Sequence, residues 1–186
     1  MTPASQETRA GMQIQGRPVA SWVADVNIER GLRDSDPALD VLVSAGPTLL
    51  THLAEILQRD LSTTQQAKAA DVIGVIAYRN RGAPELPDVV PALASGAENK
   101  DVRVRQVAAQ SLASVGKAGS NAIPVLSRGA KDEDEWVRKC AVGALRLIGI
   151  PTSQALEALH GSLSDLDGTV QIFAVQALYE LGKPAT

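Results

Sequence analysis

The chain has 186 residues, 45% of them hydrophobic, 21% charged and only 3% aromatic, and 18 basic against 21 acidic residues leave a formal net charge of −3. That balance excludes wholesale disorder, and it excludes the strongly positive footprint expected of a basic nucleic-acid domain. The single cysteine, Cys140, excludes an internal disulfide and a cysteine-rich zinc module.

Residues 1–15 are polar, lack the apolar stretch of a secretory signal, and read as a tail. Residues 16–35 read as a lead-in helix with Val19, Trp22, Val23 and Val26 on one face. Asp36 and Pro37 then read as a cap and first helical residue. A first hairpin is expected over about 36–59: A-L-D-V-L-V-S-A-G at 38–46, then a second helix from Thr48. A weaker copy over about 60–98 runs through Ala69, Ile73 and Ala77, followed by the longest turn, R-N-R-G-A-P-E-L-P at 79–87. Hairpins over about 99–131 and 132–165 have second helices starting near Ser120 and Ser153. A half repeat at 166–182 closes the order. It is expected to be exposed, to meet another copy end to end, or to continue into a longer array.

The copies recur at a fixed distance. A-A-Q-S-L-A-S-V-G at 108–116, A-V-G-A-L-R-L-I-G at 141–149 and A-V-Q-A-L-Y-E-L-G at 174–182 share one offset, 141 − 108 = 174 − 141 = 33. Val104, Val137 and Val170 keep the same offset, as do Leu112, Leu145 and Leu178. Val104, Ala108, Leu112 and Val115 fall on one stripe of a helix with 3.6 residues per turn. Asp101, Asp134 and Asp167 stand where a carboxylate caps a helix, and Gly116, Gly149 and Gly182 where a chain leaves one, in a left-handed conformation. Pro91 and Pro124 match near the start of the second helices, where a missing N–H costs little. Each two-helix unit cannot bury its stripe alone, so the units must stack and share a core. The expected fold is all-α: a right-handed α-solenoid of stacked helical hairpins.

The D-x-x-V-R string at Asp101–Arg105, its variant at Asp134–Arg138 and Ile-Pro-x-Leu at Ile123–Leu126 resemble HEAT repeats, of the armadillo-type class of superhelices. They are most similar to the short bacterial repeats of phycobilisome-lyase type, and the segment from Gly16 resembles the lead-in helix of such arrays. The resemblance covers roughly residues 16–182. It implies a scaffold or adaptor that binds protein, with a bilin-lyase-type enzyme or enzyme subunit as the alternative. A self-assembling structural module is a further one, and with no secretory signal or bilayer-spanning stretch read in the sequence the expected location is the cytoplasm. It also implies that Arg105 and Arg138 are rungs of an Asp–Arg ladder between repeats, with Gln171 replacing the third rung.

No catalytic, cofactor or metal site is expected. His52 and His160 fall in non-equivalent positions and lack the repeated His-Glu pairs of the HEAT-like di-iron hydroxylases. Cys140 matches Val107 and Phe173 and reads as a packed structural thiol. The run Asp132, Glu133, Asp134 and Glu135 reads as a solvated helix start, and Trp22 and Trp136 as packing at repeat junctions. Some HEAT-like folds resemble DNA-alkylation glycosylases. Here, however, basic residues number four, five and nine over 1–36, 37–100 and 101–186, against five, seven and nine acids, so no segment offers an excess to phosphates. Nor does any stretch approach the roughly 20 apolar residues that cross a bilayer.

Second helices of stacked hairpins usually line the concave, partner-binding side. Projection outward from their apolar positions gives a candidate row for a protein or peptide: His52 and Glu55; Asp88, Ala92 and Ser95; Asn121, Val125 and Arg128; Gln154 and Ala158, with Gly161 beyond.

Overall fold

The computed structural model describes residues 12–27, 36–59 and 62–182. Helices dominate, and the caps expected from the sequence start them. α1 (Val19–Asp25) leads in. α2 (Pro37–Ala45) opens on Asp36, whose carboxylate accepts from the Ala38 and Leu39 amides. α4 (Thr63–Arg79) opens on Ser62. α6 (Val102–Val115), α8 (Glu135–Ile148) and α10 (Gly168–Leu181) open on Asp101, Asp134 and Asp167. Each such cap satisfies orphan N–H groups and contributes about 1 kcal/mol. The second helices are α3 (Leu50–Gln58), α5 (Leu86–Gly96), α7 (Ile123–Gly129) and α9 (Ser153–Ser162). Short 3-10 turns at Gly46–Leu49 and Gly116–Ala122 lead into α3 and α7.

The first helices form a row, α2 on α4 on α6 on α8 on α10, and the second helices pack beside them, α3 on α5 and α7 on α9. One continuous core runs from Val19 to Ala177. Val104, Val137 and Val170 are buried at equivalent positions, as are Ala108, Ala141 and Ala174. Leu112 and Leu145 are fully buried, whereas Leu178 is only half-buried. Small residues set the helix spacing. A Cβ added at Gly74 of α4 would lie 2.5 Å from Ser111 Oγ of α6, and that hydroxyl donates to the Ala70 carbonyl at 2.7 Å.

Several details depart from the sequence reading. Gly116 and Gly149 do adopt positive φ, but Gly182 stays right-handed at φ −81, its N–H reaching the Glu180 and Leu178 carbonyls, so no reversal is made there. Pro91 lies inside α5 rather than near its start, because the helix already begins at Leu86. Residues 12–15, read as tail, are part of an antiparallel hairpin, β1 (Gln13–Ile14) with β2 (Arg17–Pro18). Gln15 and Gly16, both at positive φ, make its turn. Trp22 Nε1 donates to the Ile14 carbonyl at 3.1 Å and the Arg17 guanidinium stacks 4.5 Å from the Trp22 ring, so this end of the row is covered. Residues 1–11 of the expected tail, 28–35 of the lead-in segment, 60–61 and 183–186 lie outside the described residues. Among the described residues no helix is long and apolar enough to cross a membrane.

Candidate functional site

Beneath any docking surface lies the device that fixes one repeat on the next. Arg105 in the first turn of α6 forks onto Asp132, its Nε 2.9 Å from Oδ2 and its Nη2 3.1 Å from Oδ1. Its Nη1 donates backward to the carbonyls of Asn99 and Lys100. Arg138 of α8 repeats the pattern on Asp165, at 2.8 and 3.1 Å, with Nη1 on the carbonyls of Asp132 and Glu133. Planar bidentate pairing of this kind fixes orientation as well as distance. Each receiving aspartate also accepts from the amide two residues on, Asp134 or Asp167, which presents the next cap.

A second set of rungs runs alongside. Gln106 Nε2 donates to Asp134 Oδ1 at 2.9 Å, and Lys139 Nζ lies 2.9 Å from Asp167 Oδ2. The Gln106 amide, foremost, holds the Asp134 carboxyl below the usual carboxylate range. The Lys139 ammonium brings Asp167 down to about 2. Burial raises Asp165, but hydrogen bonds from Arg138 and the Asp167 amide outweigh it and leave the carboxyl depressed. The acidic run is therefore divided: Asp132 and Asp134 are rungs and caps, and Glu133 and Glu135 are exposed.

The array ends differ from its middle. Gln171 keeps only the backward bond, its Nε2 2.7 Å from the Asp165 carbonyl. At the other end Asn99 Nδ2 donates to Gln66 Oε1 at 3.3 Å, while Gln66 Nε2 bonds the Arg59 carbonyl. This amide rung was not visible in the sequence because the long turn stretches that repeat. Gln66 stands further ahead of Arg105 than Arg105 stands ahead of Arg138.

The candidate row falls into two groups. Glu55, Asp88, Ser95, Asn121, Arg128 and Gln154 are exposed and His52 is half-buried, whereas Ala92, Val125 and Ala158 are buried among the helices. The outward position in each helix is one residue earlier: Pro91, Pro124 and Glu157 are exposed at the common repeat spacing. Thus Asp88, Pro91 and Ser95, then Asn121, Pro124 and Arg128, then Gln154, Glu157 and Gly161 repeat at steps of 3 and 4, one stripe on each helix. The two prolines were the signal for this register. Charges near the ridge are paired between repeats, where Arg128 Nε donates to Glu98 at 2.9 Å and Lys131 lies 3.8 Å from Glu157, and locally along α3, where His52 and Arg59 flank Glu55 at 3.5 and 3.8 Å. Exposed pairs of this kind contribute about 0–1 kcal/mol each and exchange readily for other partners.

Reactive groups are muted. Burial, with the Asp134 charge adding to it, pushes the Cys140 thiol up to about 12, far from nucleophilic. His160 Nδ1 lies 2.7 Å from the Leu156 carbonyl on its own helix. Among the described residues no group of three or more His, Cys, Asp or Glu is arranged to hold a metal ion. Trp22 packs as expected, but Trp136 stands 50% exposed with the Lys139 ammonium 5.6 Å from its ring.

A row of stacked two-helix units with a shared core and rungs between units defines an α-solenoid. A family model described as HEAT repeats matches residues 50–146, just over half of the chain, and the chain belongs to the HEAT-repeat family. Three solved structures share the shape. A designed armadillo repeat protein in complex with the peptide (KR)4 has a TM-score of 0.63 at 18% identity, over 89% of this chain and 81% of that one. The complex of CpcE and CpcF of phycocyanin lyase from Nostoc sp. PCC7120 gives 0.66 at 19%, over 86% and 97%. Kap121p bound to Ste12p gives 0.57 at 17%, over 99% of this chain and 19% of that one. At these identities the likeness is one of fold. Among curated proteins, none matches the chain.

Proposed function

We propose that the chain is a protein-binding scaffold or adaptor without catalysis of its own, and that an extended or helical segment of a partner lies along the second-helix ridge. The observation that carries this reading is the threefold repeat of one exposed stripe, Asp88–Pro91–Ser95, Asn121–Pro124–Arg128 and Gln154–Glu157–Gly161. His52 and Glu55 extend it, while Ala92, Val125 and Ala158 form the packed floor below. Two rigid prolines flanked by weakly paired charges offer a surface that costs little to dehydrate and that can exchange its own ion pairs for a partner's. Mixed charge fits a mixed-charge segment and offers nothing selective to nucleic acid. Proteins of this shape in complex with the peptide (KR)4 or bound to Ste12p support the reading. For a lyase-type activity the support is likeness of fold alone, at 19% identity.

Panning a random-peptide phage library on the immobilised protein tests the ridge. Selected peptides should lose at least tenfold in affinity when Arg128→Glu and Glu157→Lys are combined, both being exposed and harmless to folding. Equal affinity for that double variant removes the ridge from consideration.

A further inference from the structure

The face of α10 turned away from α8 differs in kind from the same face of the helices before it. In α6 the equivalent positions are Gln106 and Ala109, and in α8 they are Lys139, Val142 and Arg146. Ala109 and Val142 are buried under the next first helix. Gln106, Lys139 and Arg146 bond across to Asp134, Asp167 and Glu180 of the next repeat. In α10 those positions hold Ile172, Val175 and Tyr179, which are 56%, 55% and 68% exposed. The forked arginine is replaced by Gln171, and the one formal charge on the helix, Glu180, is engaged by Arg146 at 3.1 Å.

Two physical consequences follow. The face continues an established stacking interface, so its shape is already that of a helix-packing surface. It has also lost every cation that its predecessors use to receive an aspartate. A further repeat bearing the usual aspartates would bury carboxylates opposite Ile172 and Gln171 with no counter-charge, which is strongly unfavourable. A charge-free apolar surface is self-complementary, whereas among the described residues the opposite end of the row carries the β1–β2 hairpin and α1.

We infer that α10 is a homodimerisation surface on which a second copy of this chain packs its own α10 antiparallel about a two-fold axis. Register follows from the stripe. An axis close to position 175 sets Val175 beside Val175 of the second copy and Ile172 opposite Tyr179. An isologous contact of this size closes at two subunits. With only a few apolar side chains from each copy it falls in the weak class of interfaces, with Kd on the order of micromolar. The surface is separate from the second-helix ridge, so each reading stands or falls alone.

Sedimentation equilibrium on the full chain tests it. The mass should rise from 19.5 kDa toward twice that between about 1 and 100 µM. Val175→Glu and Val175→Lys should each remain monomeric throughout that range with unchanged circular dichroism. Their equimolar mixture should dimerise again, because the same residue faces itself across the axis. A wild-type monomer at every concentration, growth beyond two subunits, self-association that survives both substitutions, or a mixture that stays monomeric would each overturn the inference. The ridge variant Arg128→Glu should dimerise like the wild type.

Discussion

The Arg138 guanidinium grips the Asp165 carboxylate with two parallel hydrogen bonds, and through it fastens α8 to the loop that caps α10. Arg105 grips Asp132 in the same way one repeat earlier. The lateral order of the array therefore rests on side chains that are 15% and 9% exposed at Arg138 and Asp165, where screening is reduced.

Breaking one side of that rung leaves the other partner desolvated without a counter-charge. Asp165→Asn or Arg138→Leu should each cost about 1–3 kcal/mol in urea unfolding. The double variant should cost clearly less than the sum, because neither charge remains stranded. Strict additivity would show that the rung is incidental to stacking.

Depressed carboxyls give the array a definite pH dependence. Asp134, Asp165 and Asp167 all sit below their ordinary value of 3.8, Asp167 at about 2. As pH falls, the unfolded chain binds protons first, so the stability these groups supply is complete at neutral pH and is lost between about pH 5 and 2. Asp71 has the opposite sign, since burial raises it and penalises its charged form. Asp71→Asn should thus raise the melting temperature at pH 7 more than at pH 4, and Lys139→Ala should flatten the acid limb. Melting curves of both variants against pH check this, and curves parallel to wild type would contradict it.

Glycine-to-alanine substitutions should split by neighbour distance. Gly74→Ala drives a methyl into Ser111 Oγ at 2.5 Å and should cost about 1–3 kcal/mol by forcing α4 from α6. Gly161 on α9 has nothing within 4 Å, so Gly161→Ala should stabilise by about 0.4–1 kcal/mol through the unfolded chain. Equal effects at the two sites would deny the close α4–α6 approach.

The repeated leucines should also differ. Leu112→Ala empties a fully buried site in the shared core and should cost about 2–5 kcal/mol. Leu178→Ala, half-buried in α10, should cost distinctly less. Thermal unfolding of both variants compares them, and a Leu178→Ala loss as large as that of Leu112→Ala would mean that α10 is as enclosed as the inner helices.

The architecture was legible because valine, alanine and leucine return at one fixed period, which only stacked units of like shape can use. The Arg–Asp rungs followed from the resemblance of their strings. Other features gave weaker signals. Two-residue strands are too short for any alternation to show, so β1 read as tail and β2 as the start of the lead-in helix. Gln66 and Asn99 escaped because the turn at 80–85 lengthens their repeat and throws Gln66 out of register with Arg105 and Arg138. The ridge was misplaced by one residue at its centre: Ala92, Val125 and Ala158 are buried and Pro91, Pro124 and Glu157 face outward. A helix turns about 100° per residue, so that slip separates floor from surface. Trp136 read as packing for want of any pattern that marks a half-exposed indole.

Hydrogen exchange of the intact chain, with and without a selected peptide, puts the scaffold reading most directly at risk. If first helices are the spine and second helices the docking ridge, added protection should appear on α3, α5, α7 and α9 and leave α4, α6 and α8 as they were. Protection gained on the first helices, with the ridge unchanged, would contradict the account.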